Sequence, residues 1–196
     1  MSGPAERHHR RADARRNNGA IVDAALRLLD AQPDASLDAI ASAAGVTRQT
    51  VYAHFPSREH LLAAVVDRIT DEAVAAMDAA EPDTGPAAEA LIRVLRAGSG
   101  IAGRHPVLVQ QIASVPVSPQ ADQERHAPIA DRISRVIRRG QASGEFDKDL
   151  PAEWLAAVTI KIGHAAGEEV DAGRMPPAEA ADALRTVLLR ALRPQS

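Results

Sequence analysis

The sequence predicts an all-α protein of about nine helices. Alanine is its commonest residue, 41 of 196, while only Tyr52, Phe55, Phe146 and Trp154 are aromatic. That mix favours helix and is poor in strand formers. Apolar residues return every three or four positions through most of the chain, and no segment sustains the alternation of a half-buried strand.

Apolar types make up 45% of the residues and charged types 25%, enough to bury a core and far from the composition of a disordered chain. The chain has no cysteine, which removes disulfides, thiolate nucleophiles and cysteine-ligated metals. No run approaches the roughly 18 apolar residues of a membrane span, and no apolar signal core follows His8-His9-Arg10-Arg11. A cytoplasmic protein without a membrane partner is expected.

Residues 1–13 read as a basic flexible arm. Arg7, Arg10, Arg11, Arg15 and Arg16 face only Glu6 and Asp13 over the first 16 residues, whereas residues 61–196 hold 15 basic and 19 acidic groups. An arm attracted to phosphate, attached to a mildly acidic body, fits that asymmetry. From Ala14 a first helix aligns Ile21, Ala25, Leu28 and Leu29, widened by Val22 and Leu26, and Pro33 stops it. Ser36 caps a second helix with Asp38 in its first turn and Leu37, Ile40, Ala41 and Ala44 on one face. Gly45 can take the positive φ that ends it. Thr47 caps a third helix, with Val46 and Val51 at the spacing of a hydrophobic staple.

A fourth helix follows Pro56-Ser57 and carries Leu61, Leu62, Val65, Val66, Ile69, Val74 and Met77 on its apolar side. The breaker cluster from Glu81 to Pro86 closes it. Further helices are expected over residues 87–102, 106–113, 121–141, 151–172 and 177–193, separated by Gly/Pro punctuation.

The sharpest signal lies between Ser36 and Phe55. A small residue, Ala41, precedes Gly45 by four positions, and Val51 follows it by six. The first lets two helices cross closely, the glycine bends the chain, and the valine fills the angle, which describes a helix-turn-helix. If Val51 and Phe55 face inward, Arg48, Gln49 and Tyr52 project outward. Arg48 suits guanine O6 and N7, Gln49 suits adenine N6 and N7, and Tyr52 and His54 can donate to phosphate oxygens. Ser57 at the next helix start and Arg58 beside it can converge on a further phosphate.

Residues 14–66 resemble the N-terminal domain of the TetR/AcrR family of bacterial transcriptional regulators. The resemblance rests on Ile40-Ala41, Ala44-Gly45-Val46-Thr47, Thr50-Val51-Tyr52-Ala53-His54-Phe55, and Ser57-Arg58-Glu59 leading into Leu61-Leu62. It implies a DNA-binding domain over 14–60 and an effector-binding and dimerisation domain over 61–196. It also implies that Ser36 touches the DNA backbone, that Thr47, Arg48, Gln49, Thr50 and Tyr52 enter the groove, and that His54 and Arg58 hold phosphates. The sequence departs from the family pattern at Leu37, where a hydroxyl residue is common, at Gln49, where glycine is common, and at Pro33, where the first helix ends without its usual glycine.

Beyond about residue 67 the resemblance is one of architecture and of the turn from Arg138-Arg139-Gly140 to Gly144-Glu145-Phe146. The helix over 151–172 is apolar on two sides, the helix over 177–193 carries a long apolar stripe through Ala180, Leu184, Val187, Leu188 and Ala191, and two-sided burial requires two partners. The resemblance implies that they pair with their copies in a dimer, and Leu155, Val158, Ile162, Gly163, Gly167, Leu184, Val187, Leu188 and Ala191 are the expected interface. An effector pocket is expected near Ile101, His105, Gln110, Gln111, Trp154, Ile160 and His164, and with so few aromatics it would favour a hydrophobic ligand. His164 and Glu168 share a helix face, but no third metal ligand stands at helical spacing, so no metal and no cofactor is expected. Arg132, Arg135, Arg138 and Arg139 read as a solvated basic face with acids nearby.

The expected function is a ligand-responsive transcriptional regulator, a repressor, that binds a quasi-palindromic double-stranded operator as a homodimer and is released by a small, mainly hydrophobic effector. The rival reading is a helical adaptor that uses the same outward helix for a protein partner. An enzyme is not expected: HExxH, GxSxG and phosphate-loop motifs are missing.

Overall fold

The computed structural model describes residues 4–113 and 118–194. Among these there are nine helices and no strand: α1 (Pro4–Ala31), α2 (Leu37–Ala43), α3 (Arg48–His54), α4 (Arg58–Ala79), α5 (Ala87–Ala102), α6 (Pro106–Ala113), α7 (Pro119–Ser143), α8 (Ala152–Asp171) and α9 (Pro177–Ala191). The basic stretch expected as an arm is already helical from Pro4 and continues into α1. Side chains of residues 4–12 and the segment 114–117 lie outside the described residues.

The chain divides into two units, residues 1–71 with 102–117, and residues 72–101 with 118–196. The first is built on the apolar stripe of α1. Ile21, Ala25 and Leu29 are buried with Ile40 and Ala41 of α2, Val51 of α3, and Leu61 and Val65 of α4. Each large aliphatic side chain in this cluster contributes about 1.5–3 kcal/mol by leaving water. Leu108 of α6 is buried in the same cluster, so α6 belongs with the first unit rather than with the body expected to begin at residue 61. A burial of this kind has no local signature in the sequence.

The second unit gathers Met77, Leu91, Val94, Ile133, Ile137, Phe146, Leu155 and Leu192 into a core of its own. Its connections are held by polar groups acting at a distance in sequence. After α4 the chain turns through Glu81, whose φ is 53°. The guanidinium of Arg93 donates to the carbonyls of Ala80, Glu81 and Thr84 around that turn. α7 ends where Gly144 takes φ +78° and the amide of Glu145 returns to the carbonyl of Gly140 at 2.9 Å, the 6→1 closure of a helix C-terminus. Any Cβ at Gly140 would overlap the Phe146 ring, which is why that position of the turn is glycine.

Glu145 performs the first-turn capping of α5. Its carboxylate accepts from the amides of Ala87 at 2.9 Å and Ala88 at 3.3 Å, two of the donors a helix start leaves without partners. The Ala87 amide, with Ala88, Ser143 and the charge of Arg139, holds this carboxyl below the ordinary glutamate range. A depressed folded-state pKa stabilises above the unfolded value and is lost as pH falls through the folded value. Glu145→Ala is therefore expected to lower unfolding free energy by about 1 kcal/mol at pH 7. In urea titrations that deficit should shrink as pH falls below the usual carboxylate range and vanish once the native glutamate is protonated. A deficit constant down to strongly acid pH would contradict the cap.

Candidate nucleic-acid interface

Three local devices fix α2 and α3. Ser36 starts α2 by accepting from the amide of Ala39 at 3.2 Å. Gly45 has φ +67°, its amide donates to Ser42, and the amide of Val46 donates to Ala41 at 3.0 Å. Most side chains would be strained there. Thr47 then starts α3 by accepting from the amide of Thr50 at 3.1 Å, and the two threonine hydroxyls lie 2.8 Å apart. Both capping residues and the turn glycine stand where the sequence places them.

Burial decides the orientation of α3. Val51 is 0% and Phe55 4% exposed, and both join the α1 core. The opposite side is open: Thr47, Arg48, Gln49 and Ala53 are exposed, Tyr52 is 40% exposed, and Thr50 and His54 are half-buried. Ser36 at the start of α2 is exposed as well.

Arg48 is held in place within that surface. Its Nη1 donates to Asp38 Oδ2 of α2 at 2.9 Å, its Nη2 reaches the Tyr52 hydroxyl at 3.4 Å, and its guanidinium carbon lies 5.3 Å from the Tyr52 ring centre. The Tyr52 hydroxyl and then the Asp38 carboxylate raise the arginine's pKa above its ordinary value. Asp38, read in the sequence only as a helix-dipole residue, is a functional neighbour that spacing along one helix does not reveal, since Arg48 stands on the next.

Arg58 has an internal role that the sequence did not show. Its two Nη groups donate to the carbonyls of Ala35 and Pro33, each at 2.5 Å. The guanidinium thus ties the start of α4 to the α1–α2 connection, a clamp on backbone carbonyls beside the expected phosphate contact. Ser57 accepts from the amide of His60 at 3.4 Å and lies 3.0 Å from its ring Nδ1.

The expected pocket residues are divided between the two units, His105 in the first and Ile101, Trp154, Ile160 and His164 in the second. His105 faces α1, its Nδ1 3.7 Å from Asp30. Ile101 is buried, Ile160 packs partly against the second core, and His164 lies with its ring centre 5.0 Å from that of His126. Trp154 is 53% exposed and, six residues before Ile160, sits on another face of α8. The side chains of Gln110 and Gln111 lie outside the described residues. Among the described residues no three His, Cys, Asp or Glu groups come together as a metal site, and no helix is long and apolar enough to cross a membrane.

The expected dimer face divides in two. Leu155 and Leu188 are 3% and 1% exposed, so the chain's own packing already uses them. The face that remains open on α8 consists of Ala157, Val158, Lys161, Ile162 and Ala165 around a shallow, almost wholly apolar groove. On α9, Val187 is 47% exposed and Ala191 is exposed beside it, while Leu184 is half-buried. Gly163 is half-buried and Gly167 exposed. Of the basic face expected on α7, Arg132 pairs with Asp78, Arg135 with Asp83 and Arg138 with Glu153, while Arg139 donates to the Gly85 carbonyl.

The sequence profile of the bacterial regulatory proteins, tetR family, matches residues 21–65, the stretch that holds α2, α3 and the cores beneath them. Over 174 residues the chain is 34% identical to the HTH-type transcriptional repressor LfrR of Mycolicibacterium smegmatis, covering 88% of each sequence. The chain belongs to the TetR family. The crystal structure of LfrR in complex with proflavine superposes with a TM-score of 0.63 at 31% identity, over 91% of this chain and 97% of that one. A tetR family transcription regulator structure from Shewanella sp. PV-4 gives a TM-score of 0.66 at 28% identity, over 90% and 98%. TetR-family membership makes the chain a helix-turn-helix transcriptional regulator, with α2 and α3 as the two helices of that motif.

Within this TetR-family domain the Arg58 clamp has a measurable signature. Removing it leaves two loop carbonyls without their charged donor, so Arg58→Ala is expected to lower unfolding free energy by about 1.5–3 kcal/mol. Arg58→Lys should recover only part, because an ammonium cannot fork to two carbonyls as a guanidinium does. An unchanged urea midpoint for Arg58→Ala would return Arg58 to a purely external role.

Proposed function

We propose that this TetR-family regulator is a ligand-responsive repressor that binds a quasi-palindromic operator as a homodimer. The observation that carries the reading is the outward face of α3, where Arg48, Gln49 and Tyr52 are exposed while Val51 and Phe55 are buried. A helix presented in this way enters the major groove with its N-terminal residues against base edges. Arg48 takes a guanine and Gln49 an adenine, while Ser36, Thr47, Thr50 and His54 serve backbone or groove contacts.

The repressor sign rests on LfrR, which is named a transcriptional repressor. The homodimer rests on the apolar outer faces of α8 and α9, which a second copy would cover and which the symmetric reading of two half-sites requires. The effector is a small organic molecule, in keeping with the proflavine bound in LfrR, and the scarcity of aromatic side chains in this chain supports a mainly apolar one over a flat cation of that kind. Effector binding acts by favouring a half-site spacing that the operator does not match.

Duplexes selected by the purified protein provide the test. Affinity for the selected sequence should fall with salt by about 0.9 in log K per neutralised phosphate for each decade of salt. Arg48→Ala should weaken binding to it by about 10- to 100-fold, the discrimination of one bidentate base contact. Ala53→Ser, on the same helix but without a readout group, should change it little. Equal losses from the two variants in anisotropy titrations, or selection of no preferred sequence, would contradict the proposal.

A further inference from the structure

Arg48 is exposed on the reading surface and yet is not loose. Its side chain is 64% and that of Asp38 55% accessible, and the two are joined at 2.9 Å between residues on different helices. An ion pair so exposed adds little to stability. An acid is also costly on a surface that meets phosphate, because it repels every duplex alike. The pair has a geometric effect instead. Asp38 takes one N–H of Nη1, Tyr52 takes one of Nη2 and lies under the guanidinium at 5.3 Å. A guanidinium has five N–H donors in a fixed plane, so three remain for a partner, on a fork whose orientation is already set.

We propose that Asp38 is a positioning residue for base recognition, fixing the Arg48 fork so that it meets a guanine edge in the groove and raising the preference for the correct sequence over any other. The proposal rests on the reading of α3 as the recognition helix. A long side chain that is ordered before binding loses less freedom when the base contact forms. The gain applies only where that contact exists, on the cognate duplex. The carboxylate's repulsion applies to all duplexes. The ordering therefore raises the ratio of cognate to unrelated affinity while the repulsion leaves that ratio unchanged, and the surface sacrifices some total affinity for discrimination.

Asp34 supplies the control, as an exposed acid in the connection just before α2. Asp34→Asn and Asp38→Asn change net charge equally, and the exposed amide at either position leaves the fold intact. Anisotropy titrations of the full chain would use a duplex selected by the wild type and a scrambled duplex of the same composition, at fixed salt. Asp38→Asn is expected to reduce the cognate-to-scrambled affinity ratio by about three- to tenfold, the scale of one long side chain ordered on binding. Asp34→Asn is expected to raise both affinities in parallel and leave the ratio in place. In an Arg48→Ala background, Asp38→Asn should leave the ratio unchanged, because the group it positions is gone. A ratio that is unchanged or increased by Asp38→Asn, or that falls as far in the Arg48→Ala background, overturns the proposal while leaving α3 as the recognition helix. A wild-type chain that prefers no duplex at all overturns both.

Discussion

The left-handed turn at Gly45 is the constraint on which the functional surface depends. It lets α2 stop and α3 start within four residues while Ala41, Val51 and Phe55 enter one core with Ile21, Leu29 and Leu61 of the flanking helices. Once those inward positions are filled, helical geometry leaves Arg48, Gln49 and Tyr52 no place but outside. The polar groups of α3 are thus aimed by the burial of their neighbours. The caps at Ser36 and Thr47 consume first-turn amides that would otherwise need water, so two seven-residue helices persist despite being too short to be stable alone.

The arginines of this chain differ in what their charge is used for. Arg93 and Arg58 each gather loop carbonyls, and three arginines of α7 are matched by Asp78, Asp83 and Glu153. These groups hold connections and helix pairs. Arg48 is also paired, but its partner lies on the same exposed face, and three of its donors stay available to something outside the chain. A net charge of −3 therefore says little about a nucleic-acid partner, and the local arrangement of one guanidinium says much more.

The fold was legible wherever the determining interaction is local. Caps, the turn glycine and the apolar stripe of α1 act within a few residues, so the helix-turn-helix and the bounds of α5 and α6 follow from spacing. What escaped the sequence depends on distant partners. Arg58 stands in a position suited to phosphate, and only the carbonyls of Pro33 and Ala35, brought close by α1 and α2, reveal its clamp. Membership of α6 in the first unit turns on Leu108. In α8 and α9 alanine is so frequent that several faces look equally apolar, and the burial of Leu155 and Leu188 shows which face the chain keeps for itself. The Asp38–Arg48 pair was hidden for the same reason, its members being ten residues apart on two helices.

The chain contains no cysteine, so the Gln49→Cys variant carries a single thiol at the centre of the outward face of α3. Its alkylation rate, measured with and without a selected duplex in samples where binding is followed in parallel, tests the central claim most directly. The account predicts that bound duplex slows alkylation strongly and that salt sufficient to release the DNA restores the free rate. A thiol that reacts at the same rate while the duplex is bound would place the DNA elsewhere and contradict the account.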